Sequence, residues 1–349
     1  MKTKILLVSN MFPSFRNPQF GTFVSNTYDG LVSIGCELDK AVIDLKTNSS
    51  IVKILLYFKF YLKLLYLCSF RKYDYIYVHF VSHCSPPILL MKTLGLRLNI
   101  VSHVHGGDVK LLSGRNKYFF KLKKYLSSKI LSKSSTVIFP SSSYAKEIVD
   151  AYMLKGGNYI IYPSGGIDPN VFSFDNTKRN IKTIGYAGRL IKSKNVDLII
   201  KSLLQLPDYS LEIVGDGQEL TALTNLVKEL NLEDVVRFLP AKSQQELAAW
   251  YQTIDCLVYP SESESLGLVP IEAMSCGVFC VLSDIPAFRE LLDAQLNIEL
   301  MRSLSPISIS DSVKQLETWS EDLRFQNSIR VQELYSSEKV KKELLSVFQ

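Results

Sequence analysis

Residues Ile254–Val281 read IDCLVYPSESESLGLVPIEAMSCGVFCV, and the punctuation of this stretch decides how the chain is read around it. Cys256 to Val258 is a short apolar run of the kind that forms a buried strand, and Pro260 to Glu264 is a loop. Pro270 is placed as the first helical residue, with Gly277 just past the helix end. Strand, loop and helix therefore bring two carboxylates to one helix N-terminus, Glu264 from the loop and Glu272 from the first turn. A helix N-terminus has unpaired N–H groups and partial positive charge, so it suits a phosphate or diphosphate. A carboxylate beside such an anion is repelled unless it faces hydroxyl groups, and a carboxylate accepts two hydrogen bonds from a vicinal diol. Ribose and hexose rings offer such diols, so the arrangement suits a nucleotide sugar. The same residues also fit a plainer role, with Glu272 complementing the helix dipole and Glu264 solvated.

Outward from this stretch the chain alternates strand and helix. Lys4–Ser9 (KILLVS) is a first buried strand, and a loop with Pro13 and Pro18 leads to Gly21, which opens a helix through Ile34. Further strands are expected at Asp39–Ile43, Tyr75–Phe80, Asn99–His105, Val137–Phe139 and Tyr159–Tyr162. A second series begins at Lys182 (KTIGYAG) and runs through Leu211–Val214, Val235–Leu239, Cys256–Val258 and Phe279–Leu282. The rhythm predicts an α/β fold of two Rossmann-like, doubly wound domains, 1–165 and 166–335. At 349 residues the chain is long enough for two cores.

Hydrophobic residues make up 47% of the chain and charged residues 21%, a globular balance. No run of about 18 uncharged apolar residues occurs, and no signal peptide is read before Lys4. The six cysteines contain no C-x-x-C pair and read as reduced thiols of a cytosolic protein. The net charge of +6 conceals a division: residues 1–165 hold 22 Lys and Arg against 8 Asp and Glu, and the rest hold 18 against 26. The first half is thus suited to an anionic surface. Between Asp108 and Glu147 no acidic residue occurs, whereas Arg115, Lys121, Lys123, Lys124 and Lys129 interleave with aromatic and aliphatic residues. A helix over 115–133 is therefore expected to lie on an anionic membrane, since no nucleic-acid recognition motif is present. Ile51–Phe70, also apolar and basic, is expected to pack on the sheet of the first domain.

The remaining candidates sit at strand ends, where open α/β sheets bind ligands. His105 is followed by Gly106, Gly107 and Asp108. His103 and His105 share a strand face, but no third ligand has a spacing that suits a metal, and none is expected. His79 and His83 are left to structural roles. In G-Y-A-G-R-L-I-K-S-K, Gly188 is followed by Arg189 and Lys194, which hang over the sheet edge able to neutralise a diphosphate. Gly215 stands in I-V-G-D-G-Q and Gly21 in N-P-Q-F-G-T-F-V. No G-x-G-x-x-G occurs, so an ordinary dinucleotide fingerprint is unsupported.

The spelling E-S-L-G-L-V-P-I-E resembles the E-x7-E motif of retaining GT-B glycosyltransferases, glycosyltransferase family 4 in particular. H-G-G-D resembles that family's H-G-x-D, and G-R-L-I-K-S-K its G-R-L-x-x-x-K, with Asn195 where glycine is common and Phe20 where the first loop usually has a second glycine. The resemblance spans nearly the whole chain, with 336–349 as a closing helix that completes the first domain. It implies a retaining sugar transfer from a nucleoside diphosphate sugar with no metal or other cofactor, in a GT-B architecture with a central cleft. Arg189 and Lys194 would stabilise the departing diphosphate, and Glu272 would hold the ribose. Glu264 with the N–H groups of Ser265, Leu266, Gly267 and Leu268 would hold the transferred sugar. His105 would position that sugar, Gly21 would border diphosphate and acceptor, and Asp108 would orient the acceptor. A lipid-linked saccharide of surface polysaccharide (O-antigen or capsule) assembly is the expected acceptor, with the enzyme cytoplasmic and peripheral on the inner membrane face. Two other functions fit the same residues: a nucleotide-sugar 2-epimerase of this architecture, and a non-catalytic, membrane-associated subunit that binds a nucleotide sugar.

Overall fold

The computed structural model describes residues 2–17, 20–107, 109, 117–154, 156–175 and 182–348. The chain divides into two compact units, residues 1–165 with 340–349, and residues 166–339.

The first unit alternates strand and helix: β1 (Lys4–Ser9), α1 (Thr22–Ser33), β2 (Glu37–Val42), α2 (Ser50–Phe70), β3 (Tyr75–His79), α3 (Val81–Thr93), β4 (Ile100–His103), α4 (Lys117–Leu131), β5 (Thr136–Phe139), α5 (Ser142–Tyr152) and β6 (Asn158–Ile161). Among the described residues the sheet order is β2-β1-β3-β4-β5-β6, and every pairing is parallel. Every residue of β1 after Lys4 is buried, as a parallel strand covered on both faces requires. Leu6 and Val8 face a core shared with α2, α3, α4 and α5, whereas Ile5 and Leu7 face α1 on the other side of the sheet.

The second unit repeats the pattern: β7 (Thr183–Ala187), a 3-10 turn (Lys192–Lys194), α6 (Val196–Ser202), β8 (Ser210–Val214), α7 (Leu220–Glu229), β9 (Val236–Leu239), α8 (Gln244–Tyr251), β10 (Cys256–Tyr259), α9 (Leu268–Ser275), β11 (Phe279–Ser283), α10 (Pro286–Asp293), β12 (Glu299–Met301), α11 (Pro306–Leu316) and α12 (Asp322–Tyr335). The sheet order among described residues is β12-β11-β10-β7-β8-β9, again parallel. The last helix, α13 (Ser337–Leu345), buries Val340, Leu344 and Leu345 with Phe348 beside Ile5, Leu7 and Tyr77 of the first sheet.

Most expected strands appear within a residue or two of their predicted ends. β12 is an addition, three residues long and too short to give a period. The helix expected to open at Pro270 opens at Leu268 instead. Gly267 adopts a left-handed conformation, φ 89°, and caps the helix two residues earlier. Glu272 consequently lies in the second turn, and the first turn has no acidic residue.

Candidate active site

In the second sheet β7 is followed by β8 on one side, while β10 returns to pair on its other side. The order therefore reverses between β7 and β10, and the carboxyl ends of these strands flank the crevice where ligands of doubly wound sheets bind. Gly188 and Arg189 follow β7, Gly215 follows β8, and the loop carrying Glu264 follows β10.

The loops after β7 and β10 are clipped together across this reversal. Lys194 and Glu264 form an ion pair whose side chains are only 11% and 15% exposed. The Glu262 N–H donates to the Ser193 carbonyl at 3.0 Å, and Asn195 Nδ2 donates to the Pro260 carbonyl at 2.9 Å. Asn195 sits at φ 51°, the left-handed region that asparagine enters more readily than most residues, so it serves where glycine is common. The Lys194 ammonium lies 5.3 Å from the centre of the Tyr259 ring, and Tyr259 stacks on Tyr186 at 5.5 Å. Burial first, and then the charge of Glu264, push both phenols upward, so both remain neutral beneath the ion pair. Neither tyrosine drew notice in the sequence, because each reads as a core residue of its strand. Arg189 is exposed at the rim.

The loops after β7 and β8 touch backbone to backbone. The Gly188 N–H donates to Val214 at 3.0 Å, and a Cβ on Gly215, whose φ is 144°, would overlap the Gly188 carbonyl. Glycine at 215 is therefore required by close approach.

Glu272 projects from the second turn of α9, where Tyr251 Oη donates to it at 3.4 Å and also reaches the Val269 carbonyl at 3.3 Å. Burial raises its pKa to about 7, against the weaker opposing pull of the Tyr251 hydroxyl. Ser265 is half-buried and Leu266 fully buried, so Leu266 offers its backbone and not its side chain. Gly267 and Leu268 open α9, and Pro270 supplies no N–H to its first turn.

In the first unit the sheet order reverses between β1 and β3. Gly21 caps α1 after β1, and the ring of Phe23 in the first turn of α1 lies 4.8 Å from that of His105. Phe80, just after β3, contacts the same imidazole at 5.0 Å, so Gly21 and His105 belong to one neighbourhood. Asp108 lies outside the described residues.

The absence of a third imidazole near His103 and His105 is corrected by the structure. His79, on the strand next to that of His103, brings its nitrogens within 4.8 Å of theirs. Register between neighbouring strands made this trio, and sequence spacing did not reveal it. His79 Nδ1 and His105 Nε2 are hydrogen-bonded at 2.9 Å, and the Tyr77 hydroxyl meets His103 Nδ1 at 2.8 Å. The rings stack, with 12° between His79 and His105 and 29° between His103 and His105, so they present faces more than converging lone pairs. Burial holds all three below the ordinary imidazole range, and they are neutral at pH 7.

Residues 170–330 match the family model described as glycosyl transferases group 1. The matched residues lie within the second unit. The chain is 28% identical over 232 residues to the N-acetyl-alpha-D-glucosaminyl L-malate synthase of Bacillus anthracis, covering 63% of this chain and 58% of that protein. It spans less than two thirds of the length of the curated relatives it matches. Sucrose-phosphate synthase from Thermosynechococcus elongatus has the same fold, with a TM-score of 0.82 at 18% identity over 99% of this chain and 98% of that one. Anabaena HepE, solved with UDP and glucose, gives 0.70 at 17% identity over 99% of each chain. The glycosyl transferases group 1 family is thereby supported, and the architecture is GT-B, two Rossmann-like α/β domains.

Proposed function

We propose that the protein is a retaining glycosyltransferase that moves a sugar from a nucleoside diphosphate sugar to a lipid-linked saccharide during surface polysaccharide (O-antigen or capsule) assembly. The observation that carries the proposal is the Lys194–Glu264 pair at the reversal of the second sheet, with Glu272 on the helix that follows. In the free protein each charge of the pair is satisfied by the other. When donor binds, Lys194 turns with Arg189 to the diphosphate, and Glu264 turns with the N–H groups of 265–268 to the sugar hydroxyls. Glu272 holds the ribose diol, and the backbones at Gly188 and Gly215 leave room for the phosphates. As the bond from the anomeric carbon to the diphosphate breaks, the acceptor oxygen bonds to the same face of that carbon and its proton passes to the departing phosphate oxygen. His105 and Gly21 contribute from the first unit, His105 by positioning the sugar as a neutral imidazole and Gly21 by bordering the diphosphate and acceptor; Asp108 is assigned to the acceptor.

Fixed cations take the place of a metal in this scheme, so transfer should persist in saturating EDTA. The enzyme is proposed to work in the cytoplasm, peripheral to the inner face of the membrane. Incubation with UDP, GDP and ADP sugars and a lipid-linked acceptor tests the proposal through its products. Free nucleoside diphosphate with a new glycoside of the donor's own anomeric configuration is expected. An altered free nucleotide sugar would indicate the epimerase, and bound but unconsumed donor the binding subunit.

A further inference from the structure

We infer that α2 docks the protein on an anionic bilayer, lying in the headgroup plane with one side inserted. The inference rests on the proposal above that the enzyme works at a membrane, and it moves the docking element from α4 to α2.

A helix that packs on a sheet normally turns polar groups to water on its other side. α2 does bury Phe60, Leu64, Leu67 and Cys68 in the core. Its opposite side carries Ile51, Leu55, Phe58, Leu62, Tyr66 and Phe70, which are 50–77% exposed. Spaced three or four residues apart, they form a stripe about 28 Å long at 1.5 Å per residue. Lys59 and Lys63 are exposed along its edge. With three lysines inside it and one side in the core, α2 is built to lie along a bilayer, and among the described residues no helix is long and apolar enough to cross a membrane.

The charge around the stripe identifies the occupant. From Leu45 to Lys146 the chain carries 17 Lys and Arg and only two acidic residues, Asp74 and Asp108. α3 packs against both α2 and α4, and none of the three helices contains an acidic residue. α4 extends the surface with exposed Leu122 and Tyr125 beside Lys121 and Lys124. Its Ile130 and Leu131 are buried, as is Lys123, whose ammonium donates to the Gly107 carbonyl, so Lys123 is removed from the membrane set expected from sequence. A second copy seated on the same face would set these cations against their own kind, because Asp39, the carboxylate that acts on Lys63, is already engaged by Arg71 and Tyr73. Anionic phospholipid answers both the apolar stripe and its charge.

Co-sedimentation of the full chain with phosphatidylglycerol-containing vesicles tests the inference, with phosphatidylcholine vesicles as reference. Binding is expected to need the anionic lipid and to weaken as salt rises. Phe58→Ser with Leu62→Ser should lower it by about tenfold or more through lost apolar burial. Lys59→Glu with Lys63→Glu should do so by a similar factor, at about 1 kcal/mol for each cation near the surface. All four side chains are exposed, so circular dichroism of these variants should match the parent. Leu62→Trp should give a blue-shifted emission on anionic vesicles. Retained binding in the Phe58/Leu62 variant together with loss in Lys121→Glu/Lys124→Glu would overturn docking through α2 and leave the membrane proposal standing. Binding to no vesicle would overturn both, and sugar transfer would still be judged by its own assay. Self-association abolished by the Phe58/Leu62 substitutions, without lipid binding, would assign the stripe to a second copy instead.

Discussion

Lys194 and Glu264, seventy positions apart, form an ion pair that closes the gap between the loops after β7 and β10. The pair spans the point between β7 and β10 where the second sheet reverses its order, so the charges proposed for catalysis also hold the crevice in shape.

Lys194→Ala should lower the chemical step by about 100-fold or more, the scale of losing one charge-stabilising donor. Glu264→Gln should also impair turnover. The double variant should be far less damaged than the product of the two single losses, because each single change strands a partly buried charge. Rates under saturating donor for the three variants and the parent give the coupling, and strictly multiplicative losses would contradict it.

Glu272 makes stability and nucleotide affinity respond to pH near neutrality. Its folded pKa of about 7 stands above its ordinary value of 4.5, so the folded protein keeps a proton that the unfolded chain has released. Stability from this carboxyl is therefore full below about pH 4.5 and falls as pH rises to about 7, by about 3 kcal/mol in all. Affinity for a nucleoside diphosphate should move the other way, strengthening as the carboxylate forms to accept the ribose hydroxyls. Urea unfolding and UDP titrations at pH 5.5 and 8, with Glu272→Gln as reference, separate the two trends. An identical pH slope in the variant would remove Glu272 from both.

Gly215→Ala should destabilise the protein by about 2 kcal/mol or more, because the new methyl group meets the Gly188 carbonyl and displaces a backbone that must also donate to Val214. Gly95→Ala, at φ 88° but in open space, should cost only about 1 kcal/mol of backbone strain. Denaturant midpoints of the two variants give the comparison.

Most of the fold was legible because parallel strands covered on both faces are written as unbroken apolar runs, as in KILLVS and CLVY. The carboxylate pair and the basic loop were legible too, since both are short-range patterns. What stayed hidden depended on register or on depth. His79 joins His103 only through the pairing of β3 with β4. Tyr186 and Tyr259 meet only because β7 and β10, far apart in the chain, lie side by side. Lys123 and Lys124 are neighbours of the same charge, and the turn of the helix buries one and exposes the other. The outward side of α2 was invisible for a related reason: a helix apolar on every side gives no period from which to tell its inner face from its outer one.

The seating of α13 has a consequence for the order in which the protein matures. Phe348 sets its ring 5.2 Å from Tyr75 and 5.0 Å from Tyr77, deep in the layer that α1 shares. The ribosome delivers the first unit early, yet this layer lacks its last side chains until the whole second unit has been translated. Until then Ile5, Leu7 and Tyr77 lack the part of their cover that α13 and Phe348 supply.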